Sequence, residues 1–339
     1  MRIREIIREG GWDTKTTQGT VITPSVVKQG LAAMDRFLSG FNDFLKGKSI
    51  SPVRAGVPTG SSHYHEKDDE TAVYGDIDLQ IIVPDLPELH NKTQAQIQTF
   101  WHNLAGEYVR ANPDAAHEEG TPGHPILNIG GDRYVQVDMM IHPEPLAKWG
   151  AARTIPERGI KGLLHGNMFS VFGELINLSI QHSGVQYKDR SGVRQPYSTT
   201  RKDYELRTIS TDPETFVMDV FRHEVQAQGI RRPRIDPLLK QHQGKNLQDV
   251  KISNLVNAVK GFARSCELNG MFGRGELKDF VSAGDFLDQF WQRYEGKALK
   301  DIAGTKRDKA AGNPAAEARA KADKQKILSG LRMVQGLLA

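Results

Sequence analysis

Two aspartates, Asp76 and Asp78, stand two positions apart where a β-branched, apolar run begins. In a strand, successive side chains alternate between the two faces of a sheet, so residues i and i+2 share one face. Both carboxylates then project together, while Ile77 and Leu79 point into a core. Neighbouring carboxylates repel each other, and a hard divalent cation such as Mg²⁺ relieves that repulsion. The simpler alternative is a pair of solvated acids at a strand edge.

A small, hydroxyl-bearing turn precedes these acids, Gly60-Ser61-Ser62. Glycine lets the backbone come close to a phosphate, and serine adds a hydroxyl and an amide donor. We therefore expect Gly60, Ser61 and Ser62 to bind phosphate. A Gly-Ser pair on its own is also typical of an ordinary turn.

A third acid, Asp138, lies in a later strand pattern over residues 132–141. Strict alternation in that pattern predicts one polar and one apolar face. The polar face carries Tyr134, Gln136, Asp138 and Met140, and the apolar face carries Val135, Val137, Met139 and Ile141. Acidic side chains are rarely buried without a partner. We therefore expect Asp138 to complete a site for two metal ions with Asp76 and Asp78.

Taken in order, Gly60-Ser61, Asp76-Ile77-Asp78 and Asp138 resemble the nucleotidyltransferases of the DNA polymerase β superfamily, over residues 25–145. That family's pattern is a Gly-Ser or Gly-Gly pair, a spacer, Asp-x-Asp or Asp-x-Glu, and a third acid on a later strand. The spacer here, residues 62–75, is slightly longer than the pattern, which leaves the alignment of Ser61 against Ser62 open. The resemblance implies two Mg²⁺ ions, with Mn²⁺ as the alternative, held by Asp76, Asp78 and Asp138. It also implies an NTP, with ATP or CTP expected first.

The resemblance implies further nucleotide contacts from a second, helical domain, for which Lys161, His165, Lys188 and Tyr197 are the candidates. No sharp motif fixes them. Lys161 also fits a solvated helix start, His165 a core or surface histidine, and Lys188 an exposed loop cation. The spacer residues His63 and His65 are of a type that binds transition metals, but we favour a solvated insertion there.

The surrounding patterns predict an α+β fold, and the resemblance implies a mixed-sheet, polymerase β-like core followed by a mainly helical domain. For the core we expect four or five strands with helices on one face. Thr23 and Pro24 predict the start of its first helix. Apolar spacing of three or four residues predicts helices over residues 26–45, 93–111, 161–181, 215–227, 247–268 and 277–294. Strands are expected over 53–57 and 76–83 and in a hairpin of 126–129 with 134–141, and residues 185–210 indicate a hairpin or a long loop.

Pro143 and Pro145 mark a domain boundary. We expect a catalytic domain over 1–148, a helical nucleotide- and acceptor-binding domain over 149–302, and a basic helical tail over 303–339. Only the end of the tail has an apolar face that can dock, formed by Ile327, Leu331, Val334 and Leu337.

Charge is unevenly distributed along the 339 residues. Residues 1–150 carry 14 Lys/Arg against 20 Asp/Glu, and residues 151–339 carry 31 against 21. A basic second half fits the binding of a polyanion such as RNA, although the tail and solvated helix faces hold part of the excess. The single cysteine, Cys266, excludes an intrachain disulfide. No apolar run reaches the ~18 residues of a membrane span and residues 1–9 lack the apolar stretch of a signal peptide, so we expect a cytoplasmic protein without a membrane partner.

The expected function is Mg²⁺-dependent transfer of an NMP from an NTP to an acceptor hydroxyl, with release of pyrophosphate. The expected acceptor is RNA, for example a tRNA 3′ end. Two alternatives stay open at this point. One is the same chemistry on a protein, a small molecule or a second nucleotide, as in a synthase of signalling nucleotides. The other is a non-catalytic module that binds nucleic acid. The sequence does not fix the oligomeric state.

Overall fold

The structure is a computed structural model. It describes residues 22–59, 77–90, 92, 94–116, 123–152, 162–181, 184–190, 193–195, 205–240, 251–304 and 314–339. The chain divides into two compact units, residues 1–154 and 155–339. The described part is α+β, as predicted. None of its helices combines the length and the apolar character that crossing a bilayer requires.

The first unit is built on a four-stranded mixed sheet. Its strands are β1 (Arg54–Thr59), β2 (Ile77–Val83), β3 (Ile126–Gly130) and β4 (Arg133–Pro143), in the order β1-β2-β4-β3. β2 and β4 run parallel, whereas β1 pairs with β2 and β3 pairs with β4 antiparallel. The predicted mixed sheet and the predicted hairpin are both confirmed.

Alternation along β4 sorts its side chains as the sequence predicts. Val135, Val137, Met139 and Ile141 are buried in the core. The residues between them are only half-buried as far as Met140. On β2, Ile77 and Leu79 enter the same core while Asp78 is half-buried. One face of the sheet is therefore apolar, and the other carries the acids.

Two helices cover the apolar face, α1 (Pro24–Gly47) and α2 (Gln94–Ala111). α1 begins as predicted, with Thr23 as N-cap and Pro24 in the first turn. At Gly30 this helix lies so close to the sheet that a Cβ would meet Ile77 and Val135. A third helix, α3 (Ala147–Ala152), contacts β1, β2 and β4.

The expectation that every helix of the core lies on one face is wrong because of α3. The Gln80 side chain lies on the Asp78 face and is buried. It donates from Nε2 to the Ala147 carbonyl at 2.5 Å and accepts from the Val57 amide at 3.4 Å. Gln80 therefore binds α3 and β1 to the polar face of the sheet.

The second unit is mainly helical. Its helices are α4 (Gly162–Leu175), α5 (Phe216–Ala227), α6 (Pro237–Lys240), α7 (Ile252–Leu268), α8 (Ala283–Gly304) and α9 (Pro314–Leu338). Four antiparallel strands accompany them: β5 (Ser179–Gln181), β6 (Gly184–Arg190), β7 (Val193–Gln195) and β8 (Glu205–Ser210). The hairpin expected within 185–210 is confirmed as β6 and β7, and β8 pairs with β6.

The predicted helix over 161–181 is too long at its C-terminal end. The chain leaves the helix after Leu175, and Asn177 adopts a positive φ of 55°. The Leu178 amide donates back to the Gly173 carbonyl at 2.7 Å, which closes the helix end. Residues 179–181 then form β5.

Aromatic rings form much of the core of the second unit. Phe172 packs edge-on against both Phe216 and Phe262. Cys266 is buried in α7, and burial, together with the charge of Glu224, raises the pKa of its thiol. The C-terminal part of α9 packs against α7 and α8, with Ile327, Leu331 and Val334 buried. The predicted docking of that segment is confirmed, although Leu337 is only half-buried.

Candidate active site

A row of four polar residues crosses the sheet. Thr59 of β1 pairs with Asp78 of β2, and Asp78 pairs in parallel register with Asp138 of β4. His124 continues the row on the far side of Asp138. Register partners on neighbouring strands lie on the same face, and the strands are about 4.8 Å apart. The predicted neighbours Asp78 and Asp138 are therefore brought together.

His124 lies opposite Asp138 because the β3–β4 pairing extends beyond β3. The Val137 amide donates to the Pro125 carbonyl at 3.1 Å, and the Met139 amide donates to the Gly123 carbonyl at 3.0 Å. These bonds flank the pair of His124 and Asp138. In an antiparallel ladder, side chains come closest at such pairs, which are not themselves bonded through the backbone.

Two side chains contact the same oxygen of Asp138. His124 Nδ1 lies 2.7 Å from Oδ1, and Gln136 Nε2 donates to Oδ1 at 2.6 Å. The side chain of Asp138 is 18% exposed and that of His124 is 30% exposed. Within the described part of the chain, both polar contacts of this carboxylate therefore use Oδ1.

The two histidines near Asp138 have opposite pKa shifts. The 2.7 Å contact with Asp138 raises the pKa of His124 against the effect of burial, and the charges of Asp138 and Asp78 add to the rise. Burial lowers the pKa of His102, although its bond to the Met139 carbonyl opposes this. The two rings lie 5.7 Å apart between centroids, so a proton on His124 also disfavours one on His102.

The backbone conformation and the surroundings of residue 123 require a glycine. Its φ is +92°, a conformation that side chains disfavour, and a Cβ there would overlap the His102 ring. His102 lies on α2 and its Nε2 is 3.1 Å from the Met139 carbonyl, which accepts the bond. Gly123 and His102 together fix the backbone that carries His124 along β4.

Of the other predicted site residues, His165 and Lys188 lie in the described part of the chain, whereas Tyr197 does not. Gly60, Ser61, Ser62, Asp76 and Lys161 lie outside the described residues, as do His63 and His65. Lys188 is on β6, and its side chain is not described. His165 is on α4 and fully buried, which fits the core interpretation.

The described carboxylates suit a hard cation, but they supply only part of a site. No group of three or more His, Cys, Asp and Glu side chains in the described ranges could hold a metal. Asp78 and Asp138 provide two adjacent carboxylates, which is the donor chemistry that Mg²⁺ and Mn²⁺ take. Asp76, the third predicted carboxylate, immediately precedes β2 in the sequence.

Sequence reasoning missed His124, Gln136 and His102 as parts of the site. For Gln136 the signal was present, because its position two residues before Asp138 puts it on the same face. For His124, extending the predicted hairpin register by two pairs beyond Ile126 reaches Asp138. His102 had no such signal, since its place depends on how α2 packs on the sheet.

Comparison with known proteins assigns no family to this chain. No protein-family model, no curated protein and no solved structure matches it. Its function must therefore be inferred from its own residues and their arrangement.

Proposed function

We propose that the chain is a nucleotidyltransferase that moves an NMP from an NTP to an acceptor hydroxyl and releases pyrophosphate. The observation that supports it most is the register of Asp78 and Asp138 on adjacent parallel strands. Both acids lie on the face opposite the apolar core, at the point where β1 leads into Gly60 and Asp76 leads into β2. Thr59, Asp78 and Asp138, which are far apart in the chain, thus lie side by side on one face of the sheet.

Asp76, Asp78 and Asp138 would hold two Mg²⁺ ions, with Mn²⁺ as the alternative. Bound there, the ions would lower the pKa of the attacking hydroxyl and neutralise charge on the leaving phosphates. Closely spaced carboxylates are costly to ionise together, so a bound cation would stabilise the ionised forms of Asp78 and Asp138.

The protein's own groups would orient and deprotonate the reactants. Asp138 is the proposed base for the acceptor hydroxyl. The amides and hydroxyls of Gly60, Ser61 and Ser62 would bind the triphosphate. Lys161 and Lys188 stay candidates for cations on the leaving phosphates, whereas the buried ring of His165 contributes to packing of α4 instead.

RNA is the proposed acceptor, on the evidence of charge. Residues 151–339 carry the whole positive excess of the chain, 31 basic against 21 acidic residues. A phosphodiester backbone is attracted to such a segment independently of its sequence.

The direct test is transfer of label from each of the four α-labelled NTPs, with Mg²⁺, in the presence and absence of bulk RNA. Label in RNA supports the full proposal. Products formed without RNA would replace the acceptor with a nucleotide but keep the chemistry. Asp78→Asn and Asp138→Asn are the test variants, and Asp85→Asn, an exposed acid of the same unit, is the matched control. No transfer with any nucleotide by the unmodified protein would overturn the proposal.

A further inference from the structure

We propose that His124 is a positioning residue for Asp138: together with Gln136 it binds Oδ1 and holds the carboxylate in one orientation, which leaves Oδ2 for the cation. This inference rests on the proposed function, because it assigns Asp138 to the metal. The two side chains share one oxygen of Asp138. His124 Nδ1 and Gln136 Nε2 approach Oδ1 at 2.7 and 2.6 Å.

The position of His124 is fixed by its surroundings and not only by Asp138. Its backbone is held against β4 by the bonds of Gly123 and Pro125. His102 packs beside its ring at 5.7 Å and is anchored on the Met139 carbonyl. A ring held on two sides can restrain a carboxylate, because the entropy of ordering the ring is already lost in folding.

An exposed histidine–aspartate pair in the same unit gives a contrast. His90 Nε2 lies 3.0 Å from Asp85 Oδ1, but the two side chains are 53% and 48% exposed. Such a pair is free to open to water and contributes little. The His124–Asp138 pair is more buried and is continuous with the row of Asp78 and Thr59. In this pair, His124 therefore resembles the side chains that orient metal ligands in other proteins.

The test is Mn²⁺ binding to the nucleotide-free full chain, measured by titration calorimetry and by the loss of free Mn²⁺ signal in electron paramagnetic resonance. Removing an outer partner of a metal ligand typically weakens metal binding about 10–100-fold. We expect that loss in His124→Ala. His124→Asn keeps an N–H donor near the place of Nδ1 and should retain more of the affinity. The matched control, His90→Ala, should bind as the unmodified protein does.

Asp138→Asn separates the two proposals. If Asp138→Asn leaves Mn²⁺ binding unchanged, the proposed metal site is wrong whatever His124 does. If Asp138→Asn weakens binding and His124→Ala does not, the metal site stands and the positioning role of His124 is overturned. Equal losses in His124→Ala and His124→Asn would also contradict a role that depends on the donor.

If His124→Ala fails to fold, the positioning role of His124 can be tested by NMR on the unmodified protein. The imidazole NMR signal of His124, identified by its absence in His124→Asn, should shift when Mg²⁺ is added. The signal of His90 should stay in place under the same titration. A His124 signal that does not respond to a saturating Mg²⁺ concentration would overturn the inference.

Discussion

Replacing Gly123 with alanine should distort the backbone that supports the candidate site, without changing any of the acidic side chains in it. Gly123 has a φ of +92°, and a Cβ at this position would overlap the Cγ, Cδ2 and Nδ1 atoms of His102. The blocked atoms belong to the ring near its attachment point, so a small rotation of His102 does not clear them. Either His102 leaves the Met139 carbonyl or the Gly123 backbone leaves β4.

The expected cost has two parts. A non-glycine residue in such a backbone conformation costs about 1–3 kcal/mol, and forcing extra volume into a packed site costs about 1–3 kcal/mol. The free energy of unfolding of the first unit should therefore fall by about 2–6 kcal/mol in Gly123→Ala. At roughly 2–4 °C per kcal/mol for a unit of this size, its melting temperature should fall by about 4–24 °C.

Gly130→Ala is the matched control, because Gly130 also has a positive φ, of +115°, but nothing lies within 4 Å of a Cβ there. Gly130→Ala should therefore lose only the free energy that a side chain costs at positive φ, without any cost from overlap. The assay is thermal unfolding of the full chain with hydrogen exchange of the Met139 amide, which donates to the Gly123 carbonyl. Exchange at Met139 should accelerate in Gly123→Ala and not in Gly130→Ala.

His102→Ala completes a double-mutant cycle. Removing the ring removes the overlap, so Gly123→Ala should destabilise the His102→Ala background by about 1–3 kcal/mol less than it destabilises the unmodified protein. Strict additivity of the two substitutions would refute the reasoning. Equal losses in Gly123→Ala and Gly130→Ala would refute it as well, because the close approach of His102 would then not matter.

Three further predictions concern catalysis, pH and the second unit. Asp78→Asn and Asp138→Asn should each lower nucleotidyl transfer by at least about a hundredfold, since several kcal/mol of transition-state stabilisation are lost, while their melting temperatures fall little. In the metal-free protein, the raised pKa of His124 means that its stabilising effect is complete below the unfolded pKa of about 6.5. That effect is lost as pH rises through the folded pKa, and His124→Asn should remove this loss from urea titrations. Leu331→Ala should cost about 2–5 kcal/mol of unfolding free energy, because Leu331 is buried in α9, whereas the exposed Gln335→Ala should cost almost nothing.

A specific result would contradict each of these three predictions. Transfer at full rate by either asparagine variant would remove that acid from the site. A pH profile of stability that is the same in His124→Asn and the unmodified protein would show that the pair does not couple protonation to folding. A Leu331→Ala variant as stable as Gln335→Ala would show that the end of α9 does not depend on this contact in solution.

The polar and apolar faces of the first sheet could be predicted because they depend on local period. Alternation placed Val137 and Met139 in the core and Asp138 on the opposite face, and one residue of error would have inverted every assignment. The start of α1 was equally local, since Thr23 and Pro24 carry the signal for a helix N-terminus. Side chains that follow a strict period can thus be assigned to a face from the sequence.

The features that could not be predicted depend on contacts between distant segments. The position of α3 on the acid face depends on the hydrogen bond from Gln80 to the Ala147 carbonyl. No local sequence pattern predicts this hydrogen bond. The early end of α4 depends on Asn177 adopting a positive φ, in a segment whose apolar spacing continues to indicate helix. His102 reaches the site only because α2 packs across β4.

The most direct test of the central claim, that Asp78 and Asp138 form the centre of a nucleotidyl-transfer site, is a count of pyrophosphate released per nucleotide consumed. The unmodified protein with Mg²⁺ should release one pyrophosphate for each NMP transferred, whatever the acceptor, and Asp138→Asn should release almost none. No pyrophosphate from any of the four NTPs, with or without RNA, or equal release by Asp138→Asn, would contradict the claim.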